Sequence, residues 1–342
     1  MRSPAHERQA DVIVQPAAWA PLTAFAAALF AIWWLARGRL AVRLLDHPNP
    51  RSLHEAPVPR SGGLGLHAGA LLAISIIAPH LPFALWIALA VLLLVSFVED
   101  LHGIPALWRL ALHLVVSVLF SAAVLSGEHG ALTIAVVALA IAWMANLYNF
   151  MDGSDGLAGG MAALGFGFYG AAAWLAGSTE FALVNLSIAA AAAAFLVFNF
   201  HPARIFMGDA GSVPLGFLAA ALGLIGWLQQ DWTWWFPPLV CSPFIVDASV
   251  TLARRLLRRE KVWQAHRDHY YQRLVQLGWG HRGTALAEYA AMAASGVIAL
   301  GGLALPVAVQ AALLAAVAAA YLVIIALIER AWRSQPTRIG EQ

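Results

Sequence analysis

The chain alternates long apolar runs with short polar breaks, and that alternation sets its architecture. Apolar stretches fall near 17–36, 64–80, 82–98, 110–126, 131–148, 158–176, 181–198, 212–229, 236–257, 284–304 and 306–328. Each approaches the roughly 20 residues a helix needs to cross about 30 Å of hydrocarbon. The pattern predicts an all-α polytopic membrane protein with about eleven transmembrane helices. It forms a single transmembrane domain over 17–328, between an N-terminal tail at 1–16 and a C-terminal tail at 329–342. The run at 17–36 is long for a signal-peptide core and is followed at once by Arg37, Arg39 and Arg43, so it reads as a retained span.

Composition agrees: 61% of the 342 residues are hydrophobic and 11% charged, which excludes an ordinary soluble domain. The placement of charge says more than the net value of +2. With the N-terminus outside, the inner segments hold Arg37, Arg39, Arg43, Arg51, Arg60, Arg109, Arg204, a dense set from Arg254 to Arg282, and Arg330, Arg333 and Arg338. The outer loops near 79–82, 126–131, 177–180, 229–235 and 305 hold none, and only Arg2 and Arg8 lie on the other side. Basic residues mark the cytoplasmic side. The loop from Gln229 to Trp235 reads as an interfacial aromatic belt. The lone Cys241 rules out a disulfide framework and a cysteine metal site.

The polar breaks on the inner side carry the chemistry. Asn146-Leu-Tyr-Asn-Phe-Met-Asp-Gly-Ser-Asp-Gly-Leu-Ala-Gly-Gly160 packs two carboxylates, two amides and four glycines between two apolar runs. Ionisable groups at that depth are costly and point to function; the bland reading is a polar kink between helices. Four further segments join it: Asp46 to Gly63 with Arg51, His54 and Arg60; Glu99-Asp100; Asn199 to Ser212 with Asp209 between glycines; and Arg254 to Arg282 with His266 and His269. Two carboxylates about 4 Å apart repel by about 4 kcal/mol at an effective dielectric near 20, so such a cluster protonates or binds a cation. Oxygen donors without cysteine favour Mg²⁺ or Mn²⁺, which complete their shell with substrate phosphates. Arg60, Arg204, Arg267, His266 and His269 supply the positive counterpart. Carboxylates, metal and arginine around a phosphorylated substrate spell phosphoryl transfer. Each piece alone has a plain alternative: a positive-inside flank, a small polar turn, or a solvated helix face for the i, i+3 histidines.

Taken in order, Pro57-Val-Pro-Arg-Ser-Gly-Gly63, Glu99-Asp100, Asn146 to Leu157, Phe206-Met-Gly-Asp-Ala-Gly-Ser212 and His266-Arg-Asp-His269 resemble the polyprenyl-phosphate N-acetylhexosamine-1-phosphate transferases, the superfamily that includes phospho-N-acetylmuramoyl-pentapeptide transferase. The resemblance spans roughly residues 40–285 and implies a periplasmic N-terminus, a cytoplasmic C-terminus and an active site on the cytoplasmic face of the bacterial inner membrane. It implies transfer of an N-acetylated hexosamine-1-phosphate from a UDP-sugar to undecaprenyl phosphate, giving the lipid diphosphate sugar and UMP, with Mg²⁺. Carried over by motif, Asp209, Asp100 and Asp152 are the expected metal ligands, and Asp100, Asp152, His266 and His269 the expected catalytic groups. Asn149, Asp155, Asn199, Phe206, Arg60, Arg204 and Arg267 are the expected substrate contacts, with Asp155 toward the base. Two departures stand out. Glu99 replaces the usual first aspartate of the pair, which keeps the charge but moves it by a methylene and leaves Asp100 as the matched member. His-Arg-Asp-His replaces consecutive histidines, which looks more like the branch that initiates O-antigen or other surface polysaccharides than the muramoyl-pentapeptide branch.

The resembling chemistry has the acceptor phosphate attacking the sugar-proximal phosphorus directly, with Asp100 nearby, or a double displacement through an aspartyl phosphate. Membrane lipid is an expected partner and nucleic acid is not. Helices near 284–328 carry no motif and offer a face for a homodimer. A transporter would also use intramembrane acids and histidines, and Asp247, Glu288, His67 and His113 are the candidates for it. A scaffold protein needs none of the five polar segments.

Overall fold

The computed structural model describes residues 17–46, 48, 57–261 and 266–335. Arg51, His54 and the tail at 1–16 lie outside the described residues. The elements run α1 (Ala20–Arg37), α2 (Arg39–Arg43), β1 (Leu45–Asp46), β2 (Val58–Pro59), α3 (Gly62–Ile77), α4 (Phe83–His102), α5 (Ala106–Leu125), α6 (Ala131–Phe150), α7 (Leu157–Leu175), α8 (Thr179–Asn199) and α9 (Asp209–Leu228). They continue through α10 (Phe236–Val240), α11 (Ser242–Leu257), α12 (Tyr270–Leu274), a wide turn at Val275–Trp279, α13 (Gly280–Gly302) and α14 (Val307–Arg333). The two short strands pair antiparallel, Leu45 opposite Pro59 and Asp46 opposite Val58.

The bundle is organised around α9. Its sequence is apolar on every face, as a helix surrounded by others requires, and residues from Ala210 to Phe217 are all buried. It packs against α3, α4, α6 and α7. Where α3 meets α9 the backbones touch. The amides of Gly62 and Gly63 donate to Phe206 O and Met207 O at 2.9 Å each, and a Cβ on Gly63 would collide with the Gly211 backbone. Gly63→Ala is therefore expected to destabilise the protein by about 1–3 kcal/mol through overpacking. Gly167→Ala, in open space on α7, is the neutral control. Thermal unfolding of both variants in detergent checks this.

Among the described residues, nine helices are long and apolar enough to cross a membrane. This differs from the eleven spans expected, and the other two regions show why. The region near 64–80 is a 16-residue helix, α3, because it stops at Ile77, where Ala78 turns left-handed (φ +47°) and Pro79 and Pro82 follow. The region near 236–257 is divided at Cys241 into α10 and α11. The aromatic loop also departs from its reading as a surface belt. Trp234 is exposed, but Trp232 and Trp235 are buried, donating to Gly223 O (2.9 Å) and Gln310 Oε1 (3.0 Å). The indole N–H groups find acceptors inside the bundle, so these rings lock the end of α9 to α14 and to the α7–α8 pair. At the other end, α14 continues past 328 to Arg333, where Arg254 and Arg273 both bind Glu329.

Candidate active site

A cavity of about 210 Å³ opens where α6, α8 and α9 end or begin. Its wall takes Asp46 and Arg60 from the strand pair and its exit, Asn149 and Asp152 to Asp155 from the α6–α7 turn, Asn199, Phe206, Gly208 and Asp209 from the α8–α9 connection, and Gln272 and His281 from the last third of the chain. Seven of the twelve expected site residues share it: Arg60, Asn149, Asp152, Asp155, Asn199, Phe206 and Asp209.

Local bonding explains the shape. Gly156 adopts φ +77°, a conformation that favours glycine, and this turns the chain into α7. Asn199 clips two loops together, its Oδ1 accepting from Gly156 N at 2.9 Å and its Nδ2 donating to Ile205 O at 2.9 Å. Asp155 Oδ2 accepts from Ala203 N at 3.1 Å and lies 2.6 Å from His201 Nδ1.

At the other end, both oxygens of buried Asp100 accept the first amides of α9, from Asp209 (3.0 Å) and Ala210 (2.9 Å). A carboxylate at a helix N-terminus satisfies orphan amides and complements the dipole. Asp100 does not line the cavity; it anchors the helix that presents Asp209. Arg109 binds Asp209 at 2.7 Å and Glu99 at 3.2 Å, and Glu99 also accepts from Ile104 N. The longer Glu99 side chain thus ties the α4–α5 loop and Arg109 together. Burial first, then the charges of Asp209, Asp100 and Asp46, raises the Asp152 carboxyl well above the ordinary carboxylate range.

Among the described residues, no three His, Cys, Asp or Glu side chains form a ready-made cation seat. The donor chemistry still fits a hard cation. Asp152 and Asp209 face one cavity with negative charge in excess around Asp152, and Mg²⁺ is commonly held by one or two carboxylates plus substrate phosphates.

The histidine segment is arranged differently from the expectation. His266 and His269 do not line the cavity. His269 is buried, with Nδ1 3.1 Å from Asp247 Oδ1, and its ring stacks on His266 at 4.9 Å. Asp247 also accepts from Tyr270 N and Tyr271 N at 2.9 Å each, holding the start of α12. Burial, with His269 and Arg255 nearby, lowers the His266 pKa to about 4, so its ring is neutral at neutral pH. Arg204 points outward, donating to Val197 O and covering the Phe198 ring, and Arg267 is not part of the cavity wall. The residues that sequence reasoning missed include Asp46, His201, Gln272 and His281 in the cavity wall or beside it, and Arg109 on Asp209. His201 stands inside the Asn199 to Ser212 motif and was within reach; His281 carries no spacing signal that links it to Asp155.

The protein-family model described as glycosyl transferase family 4 matches residues 82–227, which include Asp100, the α6–α7 turn and Asp209. Similar proteins include the probable undecaprenyl-phosphate N-acetylglucosaminyl 1-phosphate transferase of Bacillus subtilis (strain 168), 27% identical over 73% of this chain and 75% of that protein. The decaprenyl-phosphate N-acetylglucosaminephosphotransferase of Mycobacterium leprae (strain TN) is 29% identical over 86% of this chain and 85% of its own length. The phospho-N-acetylmuramoyl-pentapeptide-transferase of Geobacillus sp. (strain WCH70) is 44% identical over 25% of this chain and 26% of its own. The matched segment and these relatives agree with the resemblance to polyprenyl-phosphate sugar-phosphate transferases read from the motifs. With many apolar helices and bacterial relatives of this kind, it is a multi-pass protein of the bacterial inner membrane.

Proposed function

We propose that the protein transfers an N-acetylated hexosamine-1-phosphate from a UDP-sugar to undecaprenyl phosphate, releasing UMP, on the cytoplasmic face of the membrane. The observation that carries this is the sharing of one cavity by Asp152, Asp209 and Arg60, with Asp155 and Phe206 also in its wall. Carboxylates for a cation and arginine for phosphate suit a diphosphate, and a carboxylate beside an aromatic ring suits a base. The basic inner segments support the cytoplasmic placement.

In this reading an oxygen of the acceptor phosphate attacks the sugar-proximal phosphorus. The bond from that phosphorus to the bridging oxygen breaks, and its electron pair leaves on UMP. A phosphomonoester has its second pKa near 6, so the acceptor is already largely dianionic at pH 7 and needs little general-base help. Asp152 and Asp209 would hold Mg²⁺, which when bound supplies charge neutralisation on the diphosphate oxygens. Arg60 adds positive charge to the same wall. Because both Asp100 oxygens are engaged by α9, direct attack is favoured over an aspartyl-phosphate intermediate. Initiation of O-antigen or a related surface polysaccharide is the favoured role. The N-acetylglucosamine-type relatives named above align over far more of the chain than the muramoyl-pentapeptide one, which supports that branch.

The test is a panel of UDP-N-acetylhexosamines offered with undecaprenyl phosphate and Mg²⁺ to membranes containing the protein. One sugar is expected to become lipid-linked. Absence of lipid-linked product across the panel would favour the transporter or scaffold reading.

A further inference from the structure

Two histidines from distant parts of the chain meet at the Asp155 side of the cavity. His201 follows the end of α8, and His281 lies in the first turn of α13. Their rings stack with centroids 5.4 Å apart and planes 8° from parallel. His201 Nδ1 is 2.6 Å from Asp155 Oδ2; a carboxylate only accepts, so Nδ1 carries the proton and the tautomer is fixed. His281 Nδ1 is 2.9 Å from Ser154 Oγ and 4.0 Å from Asp155 Oδ1.

His281 reaches this place through a break in the helix. Gly278 (φ +98°) and Gly280 (φ +64°) lie in the left-handed region where α12 gives way to α13. Tyr289 Oη then donates to Gly156 O at 2.6 Å and pins α13 to the α6–α7 turn. A carboxylate torsion is broad when free. Here Oδ2 is held by His201 and the Ala203 amide, and the stacked His281 ring backs the pair.

We propose that His201 and His281 are positioning residues that set the rotation of Asp155, and through it the preference of the cavity for uracil over cytosine. The inference rests on the reading above that Asp155 contacts the donor's base. Uracil offers an N–H donor at its pairing edge where cytosine offers an acceptor. A fixed acceptor-only carboxylate accepts from the first and repels the second. Sites built to hydrogen-bond one partner reject the other strongly only when the site group cannot rotate away.

The experiment measures UMP and CMP binding by calorimetry on the full-length protein in nanodiscs, with steady-state kinetics on the same samples. His201→Ala is expected to weaken UMP binding about tenfold, the loss of one hydrogen bond to a charged group. It should raise the donor KM similarly, lower kcat far less, leave the undecaprenyl phosphate KM unchanged and narrow the UMP over CMP preference. His201→Asn, which places an amide N–H near the Nδ1 position, should restore most of the binding. His281→Ala should show the same pattern more weakly. Wild-type UMP affinity in His201→Ala, or loss of kcat with donor KM unchanged, overturns the proposal. Asp155→Asn separates the two readings. If it weakens UMP binding and His201→Ala does not, the base contact stands and the histidine clamp falls. If neither variant does, both fall.

Discussion

Asp152→Asn and Asp209→Asn are each expected to lower turnover by about 10²- to 10³-fold while leaving the protein inserted and folded. The magnitude is that of removing one preorganised group from the charge-stabilising part of a transfer site. Both carboxylates line the cavity, and of the two only Asp209 has a side-chain partner described above, Arg109. Asp152 stands among Asp209, Asp100 and Asp46, so replacing it with a neutral amide relieves repulsion, and unfolding resistance should be equal or higher. Asp209→Asn also loosens Arg109, which binds Asp209 at 2.7 Å. Turnover and thermal unfolding, read on the same preparations, check both variants. Loss of activity with retained stability is the expected pattern; near-normal turnover in both would return the α6–α7 turn to the status of a structural kink.

The second large effect lies outside the cavity. Asp247→Ala is expected to lower both stability and activity. The carboxylate accepts from Tyr270 N, Tyr271 N and Thr251 Oγ1 and lies 3.1 Å from His269 Nδ1, so its removal orphans several buried donors at once. At about 1–3 kcal/mol for each buried group left unsatisfied, α12 loses its hold on α11. Gln272, two residues beyond Tyr270, then leaves the cavity wall. Asp247→Asn keeps one acceptor oxygen and should fall between Asp247→Ala and the parent in unfolding temperature. If Asp247→Ala unfolds like the parent protein, the histidine segment is not held in this way. The same geometry answers the transporter reading for this residue: an acid inside a helix is here the anchor of a neighbouring helix start.

What the sequence made legible follows physical rules that act locally. Apolar length identifies spans, and costly polar insertions identify a site, so the helical architecture and the cavity's carboxylates were readable from Asp152, Asp155 and Asp209. What was not legible depends on long-range pairing. Nothing in the composition near 64–80 reveals that α3 starts at Gly62 with its first amides bonded to Phe206 and Met207, or that it ends at Ile77. The Trp232 and Trp235 indoles looked like surface anchors because their acceptors, Gly223 O and Gln310 Oε1, are set by tertiary packing. Asp100 and His269 were read as groups facing substrate; their bonding partners, the α9 amides and Asp247, turn them inward. His281 could be found only by folding the Gly278–Gly280 break, which brings it to a residue far earlier in the chain.

The most direct measurement of the central claim follows the two phosphates of the donor separately. Purified protein would be given undecaprenyl phosphate, Mg²⁺ and the UDP-N-acetylhexosamine selected by the panel, labelled with ³²P on either the α or the β phosphate. Sugar-1-phosphate transfer predicts the β label in the organic-extractable lipid and the α label in UMP. Release of both labels together as UDP, with the sugar alone on the lipid, would contradict the account.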